Sequence, residues 1–305
     1  MIKLPYGDTQ RFRMRHGDIN LIGSTDAALP AQRSVYRLNQ GEPTHFYLEP
    51  EESSSDPPRY PYGMRTPGCH RLRHMPGWFN LEIPVDSPLL TPGWNRFDVE
   101  ITAADGVAHS YSGRFHWTPE PVALPLDLRE LGGFESIQDI GQAVNGLFEL
   151  DRKKNLIRSR QPVASDALFL LGSPAHSQEA TYRVQFGPEA GIYLGLSDFF
   201  SAHLAQNPAL GIKPGYCTNG LATLDGQGNA QLWMAWGDNL MDSDSSWVVR
   251  TPRGKCSFAA RSGVTYRVRH QLLVTAAKST SRFRIWPEGT AEPGDWLCEE
   301  DTGEV

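Results

Sequence analysis

Arg96-Phe-Asp-Val-Glu-Ile-Thr102 alternates without a break, so that Phe97, Val99 and Ile101 fall on one side of an extended chain and Arg96, Asp98, Glu100 and Thr102 on the other. A period of two marks a strand with one face buried and one face wet; a helix would scatter the same residues around its axis. The rhythm repeats outward from this stretch. Towards the N-terminus it recurs at Ile19–Ile22, Ser34–Leu38, His45–Leu48 and Trp78–Ile83. Towards the C-terminus it recurs at Ser110–Trp117, after the hairpin dipeptide Asp105-Gly106. Asn39-Gln-Gly-Glu and Thr91-Pro-Gly-Trp supply further turns. The pattern predicts a small antiparallel β-sandwich over residues 18–117. Glu49–Pro67, with Ser53-Ser-Ser-Asp-Pro-Pro, is too rich in proline for a central strand and predicts an exposed excursion.

Pro119-Glu-Pro-Val-Ala-Leu-Pro125 reads as an extended junction, because its prolines stop both helix and ladder. It divides the chain into domains 1–120 and 121–305, with the boundary between Thr118 and Leu131. After a brief helical turn over Ile137–Val144, short strand signals resume at Leu147–Leu150, Leu156–Arg160, Ala167–Leu171, Thr181–Phe186 and Gly191–Leu196. They continue at Leu221–Leu224, Ala230–Ala235, Trp247–Arg250, Lys255–Ala259, Thr265–Ala276 and Ser281–Trp286. Ser197 is placed to cap a short helix over Ser197–Asn207 that buries Phe200 and Leu204. So many strands with so little helical period predict an all-β protein of two β-sandwich domains, the second a two-sheet jelly roll.

Composition agrees. The chain has 305 residues, with 29 glycines, 23 prolines and 21% charged residues, which suits a turn-rich β protein and excludes collagen, coiled coil and disorder. A net charge of −6 argues against a duplex nucleic-acid partner, whose phosphates need a basic face. No apolar run approaches the ~20 residues that cross a bilayer, so a soluble protein is expected. Met1-Ile-Lys-Leu-Pro-Tyr-Gly-Asp8 shows no apolar segment of a secretory signal. Cytoplasmic residence is therefore the expectation, although a mature secreted form would read the same. Cys69, Cys217, Cys256 and Cys298 form no Cys-x-x-Cys pair, so neither a zinc knuckle nor a redox motif is encoded, and four free thiols are expected.

The second half resembles the concanavalin A-like lectin/glucanase superfamily, also called laminin-G-like. The resemblance is carried by Val144-Asn-Gly-Leu-Phe-Glu-Leu, Asn155-Leu-Ile-Arg-Ser, Ala167-Leu-Phe-Leu-Leu-Gly, Ala180-Thr-Tyr-Arg-Val-Gln-Phe and Gly191-Ile-Tyr-Leu-Gly-Leu. Tyr266-Arg-Val-Arg, Ser281-Arg-Phe-Arg-Ile-Trp-Pro-Glu-Gly and Glu292-Pro-Gly-Asp-Trp complete it. The first half resembles an immunoglobulin or fibronectin type III-like module. Such folds host lectins, hydrolases, lyases and adhesion modules, so the likeness implies a fold and a class of functions rather than one activity. Glucanases of the superfamily carry Glu-x-Asp-x-x-Glu on a central strand. Glu299, Asp301 and Glu304 match that spacing, but we read the match as accidental, because Gly303 and the terminal position argue against a strand.

Candidate catalytic carboxylates are Glu189 in a turn, Asp198 at the end of a strand signal and Asp238 after the tryptophan-bearing strand; any two across a cleft would serve as acid and base. His203 follows as a proton donor or sugar ligand, whereas His270 shares the apolar register of Tyr266, Val268, Leu272 and Val274 and reads as core. Trp233 and Trp236 can stack on sugar rings, but parity puts them on opposite faces of one strand. Arg267 and Arg269 on one strand and Arg282 and Arg284 on the next would share a surface with Trp286, if the strands pair in register. Like charges placed directly opposite need an anionic ligand or interleaved carboxylates. Asp238, Asp242 and Asp244 lack the spacing of a calcium loop and read as a solvated loop; no cofactor is expected, and structural calcium is the one alternative to that.

These residues lead to the expectation of a carbohydrate-active protein that binds a glycan across the concave sheet of the jelly roll, with hydrolysis by a carboxylate pair as its extension. A non-catalytic interaction module binding protein is the alternative. The expected partner is a glycan, not a nucleic acid or a membrane, with the amino-terminal sandwich bracing the cleft or supporting a homo-oligomer.

Overall fold

The computed structural model describes residues 1–14, 17–25, 31–46, 48, 77–160, 168–172, 177–185, 196–198, 217–224, 230–236, 256–258, 261, 263–275 and 279–302. Among them the regular structure is almost entirely β, with a single helix of four residues. The chain divides into two compact units, Met1–Pro174 and Ala175–Val305.

In the first unit the elements are β1 (Ile2–Lys3), β2 (Thr9–Met14), β3 (Asp18–Thr25), β4 (Ala31–Leu38), β5 (Thr44–His45), β6 (Trp78–Pro84), β7 (Gly93–Ala103) and β8 (Ala108–Pro121). They are followed by α1 (Ile137–Ile140), β9 (Gly141–Asn145), β10 (Leu147–Asp151), β11 (Leu156–Arg160) and β12 (Leu168–Leu171). One sheet runs β1-β3-β6, a larger one runs β2-β8-β7-β4-β5, and β10-β11 and β12-β9 form two small ladders. The alternation of β7 is realised in full: Phe97, Val99 and Ile101 are buried, and Asp98 and Glu100 are partly exposed. They join Phe12, Tyr36, Leu38 and Phe115 from the larger sheet and Ile19, Leu21, Phe79, Leu81 and Ile83 from the smaller one in a single apolar cluster. Burial of such side chains contributes roughly 1.5–3 kcal/mol each, which is what fixes the register of both sheets. Gly23 lies directly opposite Phe79, whose ring occupies the space a Cβ would need.

Three expectations are corrected here. The larger sheet is not wholly antiparallel, since β2 runs parallel to β8. Strand β8 continues to Pro121 despite Pro119; its pairing with β7 has ended at Trp117, so the prolines interrupt no ladder on that side. The helical turn stops at Ile140 and the chain becomes strand β9 at Gly141, after a capping box in which Ser136 and Asp139 satisfy each other's backbone N–H groups. The division between units falls at Pro174, well beyond the proline-rich junction. Residues 137–171 belong with the first unit because they bond to it: Tyr6 Oη donates to Gly146 O and accepts from Phe148 N, Asn80 Nδ2 donates to Val144 O, and Gln142 Nε2 donates to Asp18 O.

The second unit contains β13 (Gln178–Gln185), β14 (Leu196–Asp198), β15 (Cys217–Leu224), β16 (Ala230–Trp236), β17 (Cys256–Phe258), β18 (Thr265–Val274), β19 (Ser279–Pro287) and β20 (Cys298–Thr302). Two four-stranded antiparallel sheets run β13-β18-β19-β20 and β14-β15-β16-β17. Tyr266, Val268, Phe283 and Ile285 are buried on the inner side of the first. His270 is buried with them, set edge-on against Phe283, as its apolar register predicted. Ser197 is extended in β14, and the segment from residue 199 to 207 lies outside the described residues. Cys298–Thr302 is a strand, with Glu299 opposite Arg282 and Asp301 opposite Thr280. The excursion at Glu49–Pro67, most of the Ser197–Asn207 segment, the Trp247–Arg250 signal and Glu304 lie outside the described residues. Among the described residues no helix is long and apolar enough to cross a membrane.

Candidate functional site

Glu189, His203 and Asp238 lie outside the described residues, as do Asp242 and Asp244. Asp198, Trp233 and Trp236 lie in the sheet β14-β15-β16-β17, and its register decides which of them share a face. Asp198 is opposite Cys217, and Cys217 is opposite Trp236, so the three form one cross-strand row. Alternate positions extend that face through Leu232 with Ala222 and Cys256, and through Ala230 with Leu224 and Phe258. Apart from Asp198 these are apolar or weakly polar residues. Phe258 meets the buried ring of Tyr266 edge-on at 5.2 Å, so this face turns towards the core.

Trp233 lies on the other face. The pairs across it are Leu221 with Trp233, Gln231 with Thr223 and Ser257, and Thr218 with Ala235 and Ser197. A register shift between Thr218 and Leu221 inserts its extra residue into β15, so β16 keeps its alternation and the two tryptophans stay on opposite sides. In sequence these positions combine one tryptophan with a leucine, an alanine, two threonines, two serines and a glutamine. Sequence parity separated the tryptophans, and the ladder keeps them at opposite parity, with Trp236 at that of Phe258.

The arginine hairpin pairs in the expected register, with Arg267 opposite Trp286, Arg269 opposite Arg284 and Gln271 opposite Arg282. Its charges are already answered. Arg269 donates to Glu292 through Nε at 2.7 Å and Nη2 at 3.1 Å, and to Glu179 through Nη1 at 2.5 Å. Arg284 lies 3.2 Å from Glu292, Arg282 3.7 Å from Glu299, and Glu288 stands 3.6 Å from Arg183 and 3.7 Å from Arg267. Hydrogen bonds from Arg269 hold the Glu292 carboxyl below the usual carboxylate range, and the same contact raises the Arg269 guanidinium.

A strap over residues 288–297 completes this face. Glu288 N donates to Thr265 O, Leu297 N to Phe283 O, and Arg284 Nη1 to Pro293 O. The Trp296 ring lies against the guanidinium carbons of Arg284 at 3.8 Å and Arg282 at 4.7 Å. Trp286, on the arginine side of the hairpin, is only 4% exposed. Sequence reading singled out the arginines and missed their partners, because Glu179 comes from another strand and Glu292 and Trp296 from a segment with no strand period. The signal available was the requirement that opposed arginines have counter-charges.

Among the described residues no group of three or more histidines, cysteines, aspartates or glutamates is placed to hold a metal ion. Comparison with protein-family models, curated proteins and solved structures finds no match to this chain.

Proposed function

We propose that the protein binds an oligosaccharide on the outward face of the sheet β14-β15-β16-β17, with Trp233 as the platform for a sugar ring. Gln231, Thr218, Thr223, Ser197 and Ser257 stand at the same strand parity and are the proposed partners for its hydroxyls. Aromatic rings offer a flat apolar face to the C–H side of a pyranose, and neutral polar side chains bond its hydroxyls without the cost of desolvating a charge. The observation that carries this reading is the register, which pairs Trp233 with Leu221 at the parity opposite to Phe258, with Gln231, Thr223 and Ser257 in the next row. The finer architecture belongs to the same proposal: each unit is a two-layer β-sandwich, and the second is of the concanavalin A-like kind. A core drawn from two sheets in the first unit, and the Phe258–Tyr266 contact between the sheets of the second, support it.

Binding is the simpler reading: a glycosidase needs two carboxyl groups ~5–9.5 Å apart across the sugar, and none of the described residues that the ladders place at the parity of Trp233 is a carboxylate. The test is a panel of neutral polysaccharides run by affinity electrophoresis with product detection. Trp233→Ala should lose retention by at least tenfold with its melting temperature unchanged, and Trp236→Ala should lower the melting temperature. Retention unaffected by Trp233→Ala, no retention by any polysaccharide, or released sugars would each overturn the reading.

A further inference from the structure

The geometry points to a second binding surface, for an acidic oligosaccharide, on the outer face of strands β2, β8 and β7 in the first unit. Adjacent strands place Arg11 opposite His116 and His116 opposite Trp94 in one row, and Thr9, Arg114 and Arg96 in the next; Arg13 stands opposite Thr118 on the other side of the first row. The intervening residues Gln10, Phe12, Asn95, Phe115 and Trp117 are buried, so the rows named are on the outward side.

Trp94 remains 45% exposed, which is unusual for a large aromatic on a single sheet face. The Arg114 guanidinium lies 4.5 Å from its ring centroid, and the His116 ring meets it edge-on at 5.4 Å. The indole holds the guanidinium in a defined orientation, so less side-chain entropy is lost when an anion binds.

Charge decides the class of ligand. The far end of the same face is internally neutralised: Arg96 is bound by Asp98 at 2.9 Å, and Arg37 stands 3.9 Å from Glu100. At the near end Arg11, Arg13 and Arg114 are exposed, and no described carboxylate comes within ion-pair reach of them. Arg96 is the direct cross-strand neighbour of Arg114 and is held by Asp98, so of the two it is Arg114 that faces an incoming anion with no described carboxylate on it. The second unit answers its arginines with glutamates; in the first, Arg11, Arg13 and Arg114 have no such partner among the described residues.

Three unpaired guanidiniums spread over neighbouring strands ~4.8 Å apart match carboxylates or sulfates borne on successive sugars, with Trp94 against an apolar sugar face. A single-stranded nucleic acid could use the same aromatic and cationic groups, but it needs a longer basic track than this face provides on a chain of net charge −6. The local backbone is built to hold the indole. Asn95, between Trp94 and Arg96, is fully buried and bonds Thr91, Gly93 and Asn39.

The test titrates the full chain with hexagalacturonate and with a sulfated hexasaccharide, following tryptophan fluorescence and calorimetry at low and high salt. Neutral maltohexaose and oligo-dT serve as comparison ligands. At least one acidic oligosaccharide should bind, more weakly at high salt, while maltohexaose leaves the Trp94 signal unchanged. Trp94→Ala and Arg114→Ala should each lower affinity for the acidic sugar at least tenfold. Arg114→Lys, which keeps the charge and loses the planar fork, should recover only part of it. Arg129→Ala removes an exposed arginine already bound to Asp127 and should change nothing. Absence of binding by both acidic sugars, binding indifferent to Trp94 and Arg114, or oligo-dT binding tighter than either sugar would overturn the inference. Trp94→Phe, which keeps an aromatic face, separates loss of stacking from loss of folding.

Discussion

Arg269 and Glu292 are joined through both carboxylate oxygens, at 2.7 and 3.1 Å, although one residue stands in the middle of a strand and the other on a strap with no regular structure of its own. The pair fastens residues 288–297 to the hairpin β18-β19. With Glu179 on the third arm of the guanidinium, it turns what would be a repulsive cluster of arginines into a closed network.

Glu292→Ala should therefore release the strap without unfolding the sheet. Hydrogen–deuterium exchange is expected to quicken at least tenfold for amides around residues 289–297, including Leu297 N, while amides in the centre of β18 keep their rates. Trp296 emission should move to longer wavelength as its contact with Arg284 and Arg282 loosens. Unchanged exchange in the strap would mean that backbone anchoring at Thr265 and Phe283 suffices.

Asn95 tests how firmly the base of the Trp94 surface is held. Its Oδ1 accepts from Asn39 Nδ2 at 2.7 Å and Thr91 N at 2.9 Å, and its Nδ2 donates to Thr91 O at 2.7 Å and Gly93 O at 3.0 Å. Asn95→Ala leaves several of these part-buried groups without their partner, so a loss of roughly 1–3 kcal/mol of unfolding free energy is expected in urea. Asn95→Asp should cost at least as much, since a buried carboxylate would face two carbonyl oxygens. A loss below ~1 kcal/mol would show that water replaces the amide.

The strands were legible because their alternation is local, as in Arg96–Thr102. Long-range features were not. The parallel partner of β2 depends on a strand a hundred residues away, and the attachment of residues 137–171 to the first unit rests on contacts such as Tyr6 with Gly146 and Phe148 that leave no periodic trace. The proline cluster suggested a junction because three prolines break ladders, yet the ladder on the β7 side had already ended at Trp117. For the site, parity separated Trp233 from Trp236. Choosing the outward one needed the β16–β17 pairing and the ring contact of Phe258.

The pH dependence of stability should have two components of opposite sign. Burial, reinforced by Glu82 and Asp86, pushes the Asp18 carboxyl up to about 6. Its folded value is above the unfolded one, so its favourable contribution is complete below pH ~4 and is lost as pH rises through about 6. Burial pushes His270 down to about 3. The unfolded state then takes up a proton below pH ~6.5 that the folded state refuses, and stability falls from there towards pH 3. Asp18→Asn should raise the melting temperature at pH 7 relative to its effect at pH 4, and His270→Gln should flatten the acid-side decline. Parallel melting curves for the wild type and both variants across that range would contradict both assignments.

The thiols provide a test of the ladder that fixes Trp233. Cys217 lies on β15 opposite Trp236, and Cys256 lies on β17 opposite Leu232, with β16 between them. Two strand spacings of ~4.8 Å separate them across the sheet, and four residues at ~3.3 Å each separate them along it, so their Cα atoms are ~16 Å apart. A disulfide needs Cα atoms within ~7 Å, so no rotamer change closes that gap. Native protein treated with diamide, blocked, digested and mapped without reductant should yield no Cys217–Cys256 peptide, and both thiols should be labelled once the chain is unfolded. A cystine linking the two in native protein would require β15 and β17 to be neighbours or shifted by several residues. Either change would remove the register that sets Trp233 apart from Trp236.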